Sequence, residues 1–333
     1  MERIRIGIIG CGGMARHHGR MITRHVPEAE IVGLAEPNEN NLARFIKDVF
    51  TDPTDEPATF ADYRQMLSEI ELDGVILVTP HNQHVQQAMD AIDRGLHVLI
   101  EKPMVIRTAD AQALIAHAAA HQRIVSVAFP GPFTCEFQYI RALIAAGTLG
   151  EISGVTGVCA QPWINAVRGT WRTVPDVSGG GNLYDSGAHM FNAMLYLTGC
   201  SAEQVFAHVQ YKGEPVDIAG TISLRLSGGT LGSAFVSGDA TIFEQGIYIQ
   251  GTRGSIKTSI YGGTLEYWQD GERVKYPVVP PTTSLQQNFV DCILGRATTP
   301  SPAVLGLRQA RLMDAIYESA RTGSPVDVVA DQE

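Results

Sequence analysis

The chain has 333 residues, 44% hydrophobic and 18% charged, which predicts two domains with sizeable cores and excludes an intrinsically disordered chain. A formal charge of −10 without a dense Lys/Arg run argues against a nucleic-acid partner, and no stretch reaches the roughly 18 consecutive apolar residues of a membrane span. Five scattered cysteines without a C-x-x-C pair argue against a disulfide framework or a cysteine zinc site, and for a reducing, cytoplasmic setting.

The N-terminal run leads straight into a strand and reads as mature structure, not as a signal peptide. Residues 3–9 form a short Ile-rich strand ending at glycines, followed by a helix over 14–25. A strand at 30–35, a helix over 38–49 opened by an Asn cap, a short strand at 58–60 and a helix at 62–69 come next. The apolar run 74–78, a helix from about 83 to 94 closed by Gly95, a strand at 96–100, a helix over 108–121 and a strand at 124–128 complete the series. Strands separated by helices of this length imply parallel pairing and a doubly wound sheet, a Rossmann domain over residues 1–130.

The texture then changes. A helix at 136–146 precedes a strand over 151–161, and residues 162–181 read as irregular. A helix over 182–197 follows. Strand-like segments at 204–211, 219–226, 230–237, 245–251, 254–260 and 263–268 have short Gly-containing links, which favour antiparallel pairing. Helices near 284–294 and 304–322 close the chain. Residues 131–333 therefore read as an α+β domain with a mostly antiparallel sheet.

Between the first strand and helix, Gly10-Cys11-Gly12-Gly13-Met14-Ala15 matches G-x-G-x-x-[GA]. Gly10 permits the tight turn, Gly12 lets backbone approach a pyrophosphate, and Ala15 allows close helix–strand packing. Glu36 ends the second strand, where a carboxylate accepts ribose hydroxyls and repels a 2′-phosphate. With no Lys or Arg immediately beside it, NAD is favoured over NADP.

Thr79-Pro80-His81-Asn82-Gln83-His84 and Glu101-Lys102-Pro103 follow the fourth and fifth strands, at the carboxyl ends where ligands of such sheets bind. His81 and His84 line the nicotinamide pocket, or His84 caps its helix; no Cys or carboxylate cluster supports a metal there. Lys102 is placed to hold a substrate oxygen and shuttle a proton. In the second domain, Gly179-Gly180-Gly181 precede Asp185 and His189. On a helix running from Asn182 these two lie at i and i+4, so Asp185 orients the imidazole and His189 takes a hydroxyl proton. The glycines upstream let a ligand or the other domain approach closely. In 162–181, Trp163 and Trp171 suit the C–H face of a sugar, and Arg168 and Arg172 its hydroxyls or a carboxylate.

Taken together, the Gly10–Ala15 loop, the Thr79-Pro80 turn, Glu101-Lys102-Pro103 and the Gly179-Gly180-Gly181…Asp185…His189 segment resemble the Gfo/Idh/MocA family, the glucose–fructose oxidoreductase and inositol dehydrogenase group, over essentially the whole chain. The resemblance implies a Rossmann domain plus a C-terminal domain with an open sheet used for homodimer or homotetramer contacts, and a terminal helix returning to the first domain. It implies NAD-dependent hydride transfer at a carbinol of a sugar, polyol or cyclitol, with Lys102, Asp185 and His189 catalytic. Two alternatives stay open: a redox-neutral lyase or glycosidase on the same scaffold, and a dinucleotide-binding sugar sensor without catalysis.

Overall fold

Except at the edge strand over residues 58–60, the strands of the first series are short apolar runs with little solvent exposure on either face, as a helix-covered parallel sheet demands. In the computed structural model, which describes residues 3–52, 56–277 and 282–329, they are β1 (Ile4–Ile9), β2 (Ala29–Ala35), β3 (Ala58–Phe60), β4 (Gly74–Leu77), β5 (His97–Ile100) and β6 (Val125–Val127). They form a six-stranded sheet in the order β3-β2-β1-β4-β5-β6, every pair parallel. The order reverses between β1 and β4, the switch point at which dinucleotides bind in this architecture.

The intervening helices are α1 (Gly13–His25), α2 (Glu39–Val49), α3 (Tyr63–Glu69), α4 (His84–Asp93) and α5 (Thr108–Ala120). Asn38 caps α2 by accepting the N–H groups of Asn40 and Asn41, and Asp62 caps α3 through Arg64 N–H. Ile6, Ile8, Leu34 and Phe45 pack into one core, which Phe289 and Val290 complete from far along the chain.

The remaining helices are α6 (Cys135–Ala145), α7 (Trp163–Val167), α8 (Pro175–Ser178), α9 (Ser186–Thr198), α10 (Leu285–Ile293) and α11 (Ala303–Thr322). The second sheet contains β7 (Ile152–Ala160), β8 (Ala202–Gln210), β9 (Ala219–Leu226), β10 (Leu231–Ser237), β11 (Glu244–Gly251), β12 (Gly254–Thr258), β13 (Leu265–Gln269), β14 (Glu272–Val274) and β15 (Val326–Asp327). Its nine strands run β14-β13-β12-β11-β7-β10-β9-β8-β15. The hairpin links pair as expected, with one exception. β10 and β11 are consecutive in sequence but β7 lies between them, parallel to β10 and antiparallel to β11. Strands β14 and β15 are too short for a sequence pattern to show.

One face of this sheet is the core, where Ile222, Leu224, Val236, Ile247 and Ile249 meet Met190, Phe191 and Met194 of α9. The other face is polar, with Leu231, Phe235 and Tyr248 exposed among its residues.

The chain divides into two compact units: residues 1–105, 109–128 and 283–306, and residues 106–108, 129–282 and 307–333. From Leu307 onward the terminal helix belongs to the second unit, whose core takes Leu312, Met313, Ala315 and Ile316. The helix that joins the first unit is α10, because its Phe289 and Val290 complete that core. Among the described residues no helix is long and apolar enough to cross a membrane.

Candidate active site

The glycine loop opens α1 at the end of β1. Gly10 has φ +89, and a Cβ there would lie 2.7 Å from Val78 O, so only glycine fits this turn. Over Gly12 and Gly13 a Cβ would meet nothing within 4 Å; the approach to the helix start is open. The first turn of α1, Gly13-Met14-Ala15-Arg16, carries no carboxylate, so its N–H groups and positive dipole end suit a phosphate. Ala15 is fully buried in the core beneath, while Met14 is exposed.

Glu36 stands where β2 ends. One of its oxygens accepts Cys11 N–H at 2.8 Å and the other accepts Asn38 N–H at 2.9 Å. The carboxylate thus braces the glycine loop against the start of α2 and keeps lone pairs for further donors. Burial first, and then this carboxylate, push the Cys11 thiol up to about 12, so Cys11 is an inert packing residue.

The two loops after β4 and β5 are tied together. The His84 ring is completely buried, with Nδ1 3.0 Å from Pro103 O and Nε2 2.9 Å from Thr79 O. Burial holds this ring below its ordinary pKa, although both carbonyls favour the charged form. His84 therefore bridges the Thr79 turn and the Lys102-Pro103 turn. Thr79 hydroxyl donates to Gln87 Oε1 at 2.6 Å, Pro80 leads into a single turn at 81–83, and the His81 ring is buried beside His84.

Glu101 likewise turns inward. Its Oε1 accepts from His18 Nε2 at 3.0 Å and its Oε2 from the Lys102 N–H at 3.0 Å, while Gln286 donates to His18 Nδ1 at 2.9 Å. Glu101, expected as a cofactor ligand, is a buried residue whose carboxylate also holds the backbone N–H of Lys102. Lys102 itself is half-buried at the end of β5.

The second unit carries the other residues. The helix expected from Asn182 starts at Ser186, and Asp185 is its N-cap residue. The reason is Asp217, which the sequence reading missed. Buried to 1%, its Oδ1 accepts Gly181 N–H at 2.6 Å and Tyr317 OH at 2.6 Å, and its Oδ2 accepts Leu183 N–H at 2.8 Å. Its backbone carbonyl accepts Asn182 N–H at 2.9 Å. Residues 182–185 thereby form a separate turn. Burial pushes the Asp217 pKa up, and the three donors pull it back.

The glycines ahead of this turn are explained by the same group. A Cβ on Gly181 would lie 1.9 Å from Asp217 O, one on Gly180 2.0 Å from the Tyr317 hydroxyl, and Gly179 has φ +78. The close approach they permit is that of their own domain's Asp217 and Tyr317. The lone cue in the sequence is an Asp inside an otherwise apolar run, Val216-Asp217-Ile218.

From 181 to 195 every residue is buried except Asp185 and His189, which are half-buried. Asp185 Oδ2 accepts Trp163 Nε1–H at 2.8 Å and Arg172 Nε–H at 3.2 Å. The Arg172 guanidinium also lies 4.4 Å over the Trp171 ring. The His189 ring meets Tyr261 edge-on at 4.8 Å and Phe129 at 6.4 Å. Thus Trp163, Trp171, Arg172 and Asp185 are brought together. Arg168 is not among them: it is exposed and bound to Glu214 at 2.6 Å. Tyr261 was missed because only the fold brings it to His189; burial pushes its hydroxyl well above its ordinary pKa.

Comparison with known proteins agrees with this arrangement. Residues 4–129 match the family model described as "Oxidoreductase family, NAD-binding Rossmann fold", and residues 137–257 match the "GFO/IDH/MocA C-terminal domain". Among similar proteins, the rhizopine catabolism protein MocA of Rhizobium meliloti is 29% identical over 92% of this chain and 93% of its own length. The dTDP-3,4-didehydro-2,6-dideoxy-alpha-D-glucose 3-reductase of Saccharopolyspora spinosa is 25% identical over 96% and 98%. A crystal structure of the WlbA dehydrogenase from Bordetella pertussis, in complex with NADH and UDP-GlcNAcA, shares the fold with a TM-score of 0.87 at 23% identity, covering 99% of each chain. Its glycine loop at the switch point, its second sheet and these matches together make this chain a member of the Gfo/Idh/MocA family of NAD-binding oxidoreductases.

Proposed function

We propose that the protein is an NAD-dependent dehydrogenase acting on a secondary hydroxyl, or the matching carbonyl, of a sugar, polyol or sugar derivative. The observation that carries this reading is that, along the segment 181–195, only Asp185 and His189 are half-buried while every other residue is buried. A carboxylate and an imidazole kept open within a core segment are the equipment of proton transfer. Relatives named for a dTDP-sugar reductase and a dehydrogenase crystallised with a UDP-sugar acid support a carbohydrate as substrate.

The nicotinamide, when bound, supplies hydride acceptance and donation. The chain's residues supply the rest. The open N-terminus of α1 binds the pyrophosphate, and Glu36 accepts the ribose hydroxyls, which favours NAD over NADP. His189 takes the proton from the substrate hydroxyl. Lys102 holds the same oxygen and stabilises its developing negative charge. Asp185, positioned by Trp163 and Arg172, orients His189, and Trp171 with Arg172 contacts the sugar. Leu231, Phe235 and Tyr248 on the open sheet face support self-association into a homodimer or homotetramer.

The test is NADH formation across polyols, cyclitols, aldoses and nucleotide sugars, with NADP⁺ in parallel, for the wild type and Lys102→Ala. The variant should lose 10²–10⁴-fold in turnover while still binding NADH. Near wild-type turnover in that variant overturns the role of Lys102. A purified protein that carries bound nucleotide yet yields no net NADH with any alcohol would favour redox-neutral chemistry instead.

A further inference from the structure

Away from these residues, three side chains of the first unit converge on one point. Asp93 ends α4, His117 lies in the last turn of α5, and His121 follows one turn later. His117 Nε2 lies 2.8 Å from Asp93 Oδ1, and His121 Nε2 lies 3.7 Å from the same oxygen. The two imidazole rings are 4.3 Å apart, and one ligand atom from each of the three residues falls within 4.8 Å of the others.

We propose that Asp93, His117 and His121 bind a divalent transition-metal ion of the zinc type and staple α4 to α5. The i, i+4 spacing puts both imidazoles on one side of α5. Their partner across the helix pair supplies a single negative charge. Two nitrogens and one oxygen suit Zn²⁺, Co²⁺ or Ni²⁺; Ca²⁺ and Mg²⁺ prefer oxygen ligands.

An ion pair between His117 and Asp93 would account for two of the three residues. It does not account for the placing of His121. That ring donates Nδ1–H to the His117 carbonyl at 2.9 Å, which turns Nε2 toward Asp93 Oδ1. A ligating histidine whose other nitrogen is fixed by a backbone carbonyl is the usual second layer of a metal site. The adjacent cation, Arg123, is turned to the carbonyls of Gly95 and His121, both at 3.0 Å, and to His97 Nε2 at 3.4 Å. Side-chain exposures of 57% for Asp93, 27% for His117 and 42% for His121 leave the remaining coordination positions to water.

The experiment is titration of chelator-treated, full-length protein with ZnCl₂, followed by calorimetry and by thermal unfolding. One equivalent should bind with a micromolar Kd and raise Tm. His121→Gln and Asp93→Asn should each weaken binding at least tenfold with an unchanged circular dichroism spectrum, while the control His25→Gln leaves it unaltered. On the wild type alone, CoCl₂ should give a visible absorption band that saturates at one equivalent and is abolished by ZnCl₂. Absence of saturable binding up to 100 µM ZnCl₂, or equally tight binding by the His121→Gln and Asp93→Asn variants, would overturn the site.

Discussion

Asp217 holds Gly181. The buried carboxylate takes the Gly181 N–H at 2.6 Å, and the Asp217 backbone carbonyl lies where any Cβ on residue 181 would have to go, 1.9 Å away. The turn that delivers Asp185 to the head of α9 is therefore shaped by a residue distant in sequence, with Tyr317 of α11 as its third support.

Removing that support should be severe. Asp217→Ala leaves the Gly181, Leu183 and Tyr317 donors unmet in the interior, at about 1–3 kcal/mol for each unsatisfied group. We expect a loss of at least about 3 kcal/mol in denaturant unfolding. Tyr317→Phe, which removes one donor and leaves the carboxylate two, should lose about 1 kcal/mol. Gly181→Ala should resemble Asp217→Ala, because its methyl group collides with backbone.

The bracing role of Glu36 and the cofactor preference proposed for it can be separated. Glu36→Gln keeps an acceptor for one backbone N–H but loses the charge that repels a 2′-phosphate. Its preference for NAD⁺ over NADP⁺, read as the ratio of kcat/KM values, should fall by about tenfold, equivalent to ~1.4 kcal/mol. Glu36→Ala should also lower Tm, since Cys11 and Asn38 N–H groups lose their partner.

Acid should cost the fold stability at His84, because a buried ring resists the charge. Its pKa is lowered in the fold from an ordinary 6.5, so the unfolded chain takes up the proton first. The stability associated with the neutral ring is present above pH 6.5 and is lost as the pH falls from there through the lowered folded value. His97 and His17, also lowered by burial, act with the same sign. Urea unfolding between pH 8 and 5 should show wild-type stability falling more steeply than that of His84→Gln.

Leu231 and Phe235 flank Ser233 on β10. Ser233 pairs with Thr156 of β7, which in turn pairs with Tyr248 of β11, so the three exposed apolar side chains share one face. Leu231→Lys combined with Phe235→Lys should reduce the mass measured by light scattering to that of a monomer. The thermal transition of the second unit should persist, because neither side chain belongs to its core.

Much of this was readable from the chain. The first sheet was legible because its strands are continuous apolar runs, each followed by a helix, and the glycine loop sat at the right junction. That Asp185 and His189 are candidate proton-transfer residues was legible from their types and spacing. Their setting was not, because it depends on Asp217 and Tyr317, which periodicity cannot pair with Gly181. The internal hydrogen bonds of Glu101 and His84 were not legible for the same reason: a polar residue at a strand end looks alike whatever its side chain touches. The place of β7 between β10 and β11 was hidden because pairing rules for adjacent hairpins say nothing about a strand inserted from earlier in the chain.

That insertion bears on how the polypeptide is made. Both lateral neighbours of β7 come from beyond residue 230, and the first unit needs Phe289 and Val290 to close its core. Assembly is therefore dominated by contacts distant in sequence, a topology that folds slowly and leaves unpaired strand edges exposed in the interval.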